Sequence, residues 1–455
     1  MKLHDFCTKF QHSIVFLIEV LLYASCLATF FLMFSIDNPE IIVMSRTAAV
    51  TLSTFVIVLI LLTFMYGKYD VGRRRWGQVA LTVSITVIFT DLVTYLELSI
   101  MKTNEANNTT FRLENFGILF CVFAIQILLI MLLSRAGEEF YFWINPKEKC
   151  LIITEDMNGS ERIAAAMSSF EKKYEVSGII SYKDPGLESA MVAADTIVLY
   201  DLPVKDRTDI VDFCYQNLKN IYFNPSIADI LEQNSHSVIM DDISLFSTRY
   251  HMITFEERLV KRFMDTIISL MALIITSPVI LISAICIKKH DGGSVFFRQK
   301  RATVHGKVFE IIKFRTMKEN VENFSSTEGD DRITRVGRVL RKYRIDELPQ
   351  FVNILKGDMS LVGPRPEMLE NVEDYEKDLP EFRYRLRMKA GLTGLAQIYG
   401  KYNTSSRDKL MLDLMYIENY SLIRDIQLLF QTVLVLFKAE DSTEAFKVSD
   451  KNEQR

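Results

Sequence analysis

Asp346 and Glu347 are adjacent carboxylates within the run Arg341-Lys-Tyr-Arg-Ile-Asp-Glu-Leu-Pro349. They follow a basic segment and precede a proline that can open a helix, because its missing N–H costs nothing in a first helical turn. Gln350 to Lys356 suit a short helix and Gly357 can end it. The acids therefore lie at a positive helix end among arginines, which favours their ionised form. Such an acid can act as a nucleophile, bind a divalent metal, or do both. A pair that only complements the helix dipole has the same local sequence, so the surrounding segments must decide.

Three neighbouring segments carry cations in patterned positions. Gly306 to Met317 alternates apolar and cationic residues, which places Lys313 and Arg315 on one side of an extended stretch. Arg335, Arg338, Arg341 and Arg344 recur at every third position, beside Val336, Val339, Leu340 and Tyr343. A basic stripe next to an apolar one suits anionic headgroups or phosphate-bearing substrates, although a solvated helix face looks alike. Pro364 and Pro366 flank Arg365. Their fixed backbone presents a guanidinium with little freedom left to lose, an arrangement suited to a phosphate or a planar base.

The elements that must position these residues begin with a membrane half. The chain has 455 residues, 49% hydrophobic and 24% charged, so apolar and soluble parts are joined. Four apolar stretches reach the ~20 residues that a bilayer crossing needs. They run over 13–34, 47–66, 79–100 and 116–133. Lys68, Arg73, Arg74 and Arg75 lie in the second connection, which places both ends of the four-helix transmembrane bundle in the cytoplasm. No cleaved signal peptide is expected. Glu19, Asp91 and Glu97, within or near the spans, are expected to face the bundle interior. Asn107 and Asn108 fit a glycosylation pattern that matters only in a host with that machinery. The six cysteines show no metal-type spacing and read as buried thiols in a reducing setting. The six histidines are scattered and the net charge of −4 excludes no partner class.

From 149 to 243 short apolar runs alternate with amphipathic stretches, which predicts a small α/β domain with a parallel sheet. Strands are expected over 150–154, 176–181 and 196–200, and helices over 162–174 and 206–218. The loop after the first strand has only Gly159, so the dinucleotide fingerprint is missing and the domain reads as a degenerate Rossmann-like fold, non-catalytic. Tyr215 and Lys219 match a dehydrogenase spacing that arises easily by chance.

Ile267 to Ile287 is a fifth apolar run with Ser277-Pro278 at its middle and cations on both flanks. Proline removes a helical hydrogen bond, and Ser277 can satisfy a freed carbonyl. A helix-break-helix that enters one leaflet and returns fits the flanking charges. An ordinary kinked span would export everything after Lys289. A single helical stretch is expected over 410–437, its last part at the membrane surface, followed by a disordered tail over 438–455.

Several motifs occur in order: Ser277-Pro278, Lys313-Phe-Arg-Thr-Met317, Asp346-Glu-Leu-Pro-Gln350 and Lys356-Gly-Asp-Met-Ser-Leu-Val-Gly-Pro-Arg-Pro366. Lys389-Ala-Gly-Leu-Thr-Gly394 and Tyr416-Ile-Glu-Asn419 follow. Together they resemble the bacterial sugar transferase family, the polyprenyl-phosphate hexose-1-phosphate or monotopic phosphoglycosyl transferases. The resemblance covers about 256–437, and the preceding segments look like the large-form members that initiate exopolysaccharide or capsule synthesis.

That resemblance implies a four-span bundle over 1–140, the Rossmann-like domain over 141–250, and an α/β catalytic domain over 251–437 anchored by a re-entrant helix at about 262–288. Asp346 would attack the sugar-bearing phosphorus of a UDP-sugar and release UMP. The phosphosugar would then pass to undecaprenyl phosphate. Mg²⁺ held by Asp346 and Glu347 would offset the charge, with Glu347 in metal binding or acid–base support. Arg365 is the leading phosphate contact, followed by Lys313, Arg315, Arg338 and Arg341. The site would face the cytoplasm at a bacterial inner membrane, with lipid but no nucleic acid as partner; a homo-oligomer and the sugar's identity stay open. Two alternatives keep the architecture: a membrane-bound nucleotide-sugar dehydratase or epimerase, and a non-catalytic assembly regulator.

Overall fold

The computed structural model describes residues 3–437 apart from 68, 106–112, 156, 249, 251–252, 319–330 and 401–403. The expected tail, Asn107 and Asn108 lie outside the described residues. Contacts divide the chain into two compact units, Met1–Asn224 and Pro225–Arg455. Among the described residues, five helices are long and apolar enough to cross a membrane, four of them in the first unit.

Those four are Gln11–Phe34, Arg46–Tyr66, Trp76–Met101 and Phe116–Ile144. They share a core that includes Leu22, Phe30, Phe55, Val83, Val122 and Ile130. Phe16, Ile60, Phe120 and Leu128 remain exposed on their outer faces, as helices solvated by hydrocarbon require. Asp91 is fully buried and accepts from Gln126 Nε2 at 3.4 Å, so this acid does face inward. The cysteines are all free, but Cys121 and Cys286 are exposed on apolar helices instead of buried.

The α/β part holds four parallel strands in the order β2-β1-β3-β4. They are β1 (Glu148–Thr154), β2 (Tyr174–Ser181), β3 (Thr196–Tyr200) and β4 (Asn220–Phe223). The first helix runs over Met157–Ser168 and stops short of its expected end. Tyr174 instead opens β2, pairs with Glu148, and donates its hydroxyl to Tyr222 at 2.8 Å. The stretch 225–250, grouped above with this domain, packs with the second unit. Helix Ile227–Glu232 sends Ile230 into that unit's core, so the boundary falls at 224/225 rather than 250.

In the second unit, helix Phe255–Asp291 starts at a capping box of Thr254 and Glu257 and ends at Gly292 in the left-handed region. Helical structure runs from Phe255 to Asp291 through Ser277-Pro278, so Pro278 does not end the helix. Pro278 cannot donate to Ile274 O, and Ser277 Oγ donates to that carbonyl instead at 2.7 Å. A single serine thus repairs the bond that proline removes.

Both ends of this helix pack on the same fold. Near its start, Lys261 Nζ donates to Val362 O at 3.0 Å and pairs with Asp425, while Asp265 accepts from Leu361 N at 3.0 Å. Near its end, Ile287 packs with Phe314 and Leu340, and Asp291 pairs with Arg315. The middle exposes Leu270, Ile274, Ile275, Leu281 and Ile282.

The rest of the unit holds an antiparallel hairpin, Phe296–Ala302 with Val308–Phe314, and a short parallel pair, Ser360–Val362 with Gly391–Thr393. Its core includes Phe309, Ile354, Leu361, Phe382, Leu410, Leu414 and Leu428. The helix expected over 410–437 is two, Ser406–Glu418 and Leu422–Phe437. Ser421 Oγ accepts from Arg424 N at 3.1 Å and caps the second.

Candidate active site

Arg335–Lys342 forms a helix that Thr334 caps by accepting from Gly337 N at 2.9 Å. Gly337 lies against the Thr316 carbonyl so closely that a Cβ there would stand 2.1 Å from it. Val336 and Leu340 pack inward, but Val339 and Tyr343 are exposed, so the apolar stripe is split. Arg344 then turns the chain with φ +53°. Asp346 and Glu347 follow in a single tight turn, Ile345–Glu347. Pro349 sits at the cap of helix Gln350–Lys356, which ends at Gly357 with φ +91°, both as the sequence predicts. Arg262 of the long helix covers this helix's far end by donating to Ile354 O and Leu355 O. It fills the role of a C-terminal cation.

The two acids have different surroundings. Glu347 Oε1 is 3.3 Å from Lys313 Nζ and 3.2 Å from Arg365 Nη2, and Glu347 Oε2 is 3.8 Å from Arg344 Nη1. Among the described residues Asp346 makes no hydrogen bond or ion pair. Burial costs an ion several kcal/mol. One opposite charge at about 4 Å returns roughly 4 kcal/mol at an effective dielectric near 20. Three cations therefore outweigh the burial of Glu347 and hold it below the usual carboxylate range. Asp346 is pushed up to about 6, first by burial and then by the Glu347 charge, with Lys313, Arg341 and Arg365 opposing. The sequence treats the pair as equally ionised, whereas the fold separates them because Glu347 takes up the nearest cations.

The cations predicted for the site do not all reach it. Lys313, on the second strand of the hairpin, reaches Glu347. Arg315 does not reach Glu347; its side chain is taken by the end of the long helix. Its guanidinium binds Asp291 at both oxygens, with Nη1 at 2.7 Å from Oδ2, and its Nε donates to Ser294 O at 2.6 Å. Arg315 thus locks the hairpin to the long helix. Arg341 donates from Nε to Thr316 Oγ1 at 2.9 Å and still acts on Asp346 through space. Arg338 is exposed on the helix surface. Arg365 reaches Glu347 from the proline-flanked turn. Ser277 and Pro278 lie mid-helix and bring nothing to this cluster.

Comparison with known proteins assigns this part of the chain to a family. The family model described as bacterial sugar transferase matches residues 256–439. A UDP-glucose:undecaprenyl-phosphate glucose-1-phosphate transferase of Caulobacter vibrioides is 38% identical over 190 residues, 40% of this chain and 71% of that protein. The chain belongs to the bacterial sugar transferase family. An exopolysaccharide production protein ExoY of Sinorhizobium fredii is 38% identical over 191 residues, 38% of this chain and 83% of that one. A UDP-N-acetylgalactosamine-undecaprenyl-phosphate N-acetylgalactosaminephosphotransferase of Aeromonas hydrophila is 42% identical over 180 residues, 38% of this chain and 43% of that protein. The match thus spans less than half of the Aeromonas sugar transferase. The residues matched by the family model, 256–439, include Lys313, Arg341, Arg344, Asp346, Glu347 and Arg365.

Proposed function

We propose that this sugar transferase moves a sugar-1-phosphate from a UDP-sugar to undecaprenyl phosphate through a covalent intermediate on Asp346, for exopolysaccharide or capsule synthesis. The observation that carries the reading is the asymmetry of the acids: Glu347 is committed to cations, and Asp346 is left open. A carboxylate with a raised pKa is more basic, hence more nucleophilic, and still ionised for the most part at neutral pH.

An Asp346 oxygen attacks the sugar-bearing phosphorus and the bridging phosphoanhydride bond breaks, so UMP leaves. An oxygen of undecaprenyl phosphate then attacks the same phosphorus. The aspartyl–phosphorus bond breaks, the carboxylate returns, and undecaprenyl-diphospho-sugar departs. Each step exchanges one anhydride for another. Arg365 and Lys313 offset the phosphate charge, with Glu347 holding them in place until substrate arrives. Arg341 favours the ionised form of Asp346 through space.

Mg²⁺ commonly takes one or two carboxylates and completes its shell with phosphates and water. The open Asp346 carboxylate fits that habit, while Glu347 already serves two cations through one oxygen. When bound, the ion supplies charge neutralisation between carboxylate and phosphates.

The site is read as cytoplasmic, at the inner membrane, with the long helix re-entrant. What supports this is the anchoring of both helix ends, at Lys261 and Asp291, on one fold. Ends held on one fold favour a helix that enters and leaves the membrane by the same face. The test of the function is Asp346→Asn in purified full-length protein, assayed for UMP release across a UDP-sugar panel with undecaprenyl phosphate. Loss of all turnover is expected; retained turnover would refute the nucleophile.

A further inference from the structure

The turn Pro364-Arg365-Pro366 has each of its three carbonyls held by a different donor. Gly391 N donates to Pro364 O at 2.9 Å. Arg385 Nη2 donates to Arg365 O at 2.8 Å. Arg301 Nη1 donates to Pro366 O at 3.2 Å. Proline rings fix φ at two of these residues and leave the peptide planes free to rock. A bond to every carbonyl removes that remaining freedom.

Two of the three donors are guanidiniums, which is more than carbonyl satisfaction needs. Gly391 shows that a backbone amide suffices. Arg385 is 3% exposed and pairs at 2.7 Å with Asp413, which is 1% exposed. Burying such a pair brings little stability compared with apolar packing. The fold underneath is also built for closeness: a Cβ on Gly363 would stand 2.2 Å from Lys389 O, and one on Gly394 2.2 Å from Gly363 O. The Gly391–Thr393 strand therefore serves as a rigid seat, and the arginines fasten the turn to it. Arg365 is left with a side chain 40% exposed, paired with Glu347, on a backbone fixed at every carbonyl.

We propose that Arg385 and Arg301 are positioning residues, whose bonds to Arg365 O and Pro366 O aim the Arg365 guanidinium at the diphosphate of the nucleotide substrate. This rests on the nucleotide role given to Arg365 above. A lysine at either position keeps the charge but loses the planar fork that reaches two partners at once.

The experiment measures UDP affinity calorimetrically, with the full chain in detergent and Mg²⁺ present. The variants are Arg385→Lys, Arg301→Lys, Arg365→Ala and the two double variants with Arg365→Ala. Each lysine variant is expected to weaken UDP binding about tenfold, as coupled neighbours do. In the Arg365→Ala background each is expected to change it no more than about twofold. That loss of effect is the signature of acting through Arg365, which a merely structural arginine would not give. Equal effects in both backgrounds, or none in either, would overturn the clamp alone. Unchanged UDP affinity in Arg365→Ala would overturn both the clamp and the nucleotide role of Arg365. Failure of both lysine variants to fold, judged by thermal melts, would assign the arginines to folding and overturn the inference.

Discussion

Arg365 Nη2 stands 3.2 Å from Glu347 Oε1, and that contact leaves Asp346, one residue away, as the open carboxylate. Neutralisation is spent on one acid so that the other stays reactive. Asp346→Asn should therefore abolish product, a loss of at least about a thousandfold for a removed nucleophile. Its melting temperature should stay level or rise, because the folded state penalises the ionised Asp346 that the substitution removes. Product formation assays and thermal melts on one preparation check both.

Activity should depend on pH through the same residue. The nucleophile must be ionised, so the rate should fall about tenfold per pH unit below about pH 6. Glu347 raises the Asp346 pKa, so Glu347→Gln should move the inflection down. Arg341 lowers it, so Arg341→Ala should move the inflection up. Opposite shifts in kcat/KM profiles are the expected outcome.

Arg315 and Arg338 should separate stability from catalysis. Arg315 ties the hairpin to Asp291 and is 7% exposed. Arg315→Ala should destabilise by about 1–3 kcal/mol, the cost of a lost charge-assisted bond and an unpaired partner. Arg338 is exposed, and Arg338→Ala should change stability by less than about 0.5 kcal/mol. Denaturant titration of both variants is the measurement.

The long helix makes a topological prediction. A cysteine placed at Lys289, in a chain cleared of its other cysteines, should be shielded from an impermeant thiol reagent outside intact cells and react after the cells are opened. Labelling from outside would mean that the helix crosses.

Much of the site was legible because motifs that meet in space are also ordered in sequence. Pro349 and Gly357 bound their helix as their backbone preferences demand. The apolar spans needed only length and composition. What stayed hidden turns on single contacts. Alternation placed Arg315 beside Lys313, but Asp291, 24 positions away, takes its guanidinium. Counting arginines near the acids gave no hint that Glu347 would claim three cations. The carbonyl clamp from Arg385 and Arg301 joins residues 20 and 65 positions from their partners, beyond any local pattern.

The most direct test of the central claim is to incubate purified protein with a UDP-sugar labelled in the sugar-bearing phosphate, without undecaprenyl phosphate. The account predicts stoichiometric release of UMP and one label per chain, carried on the peptide that contains Asp346. Turnover that proceeds only with both substrates present and never labels the protein would contradict it.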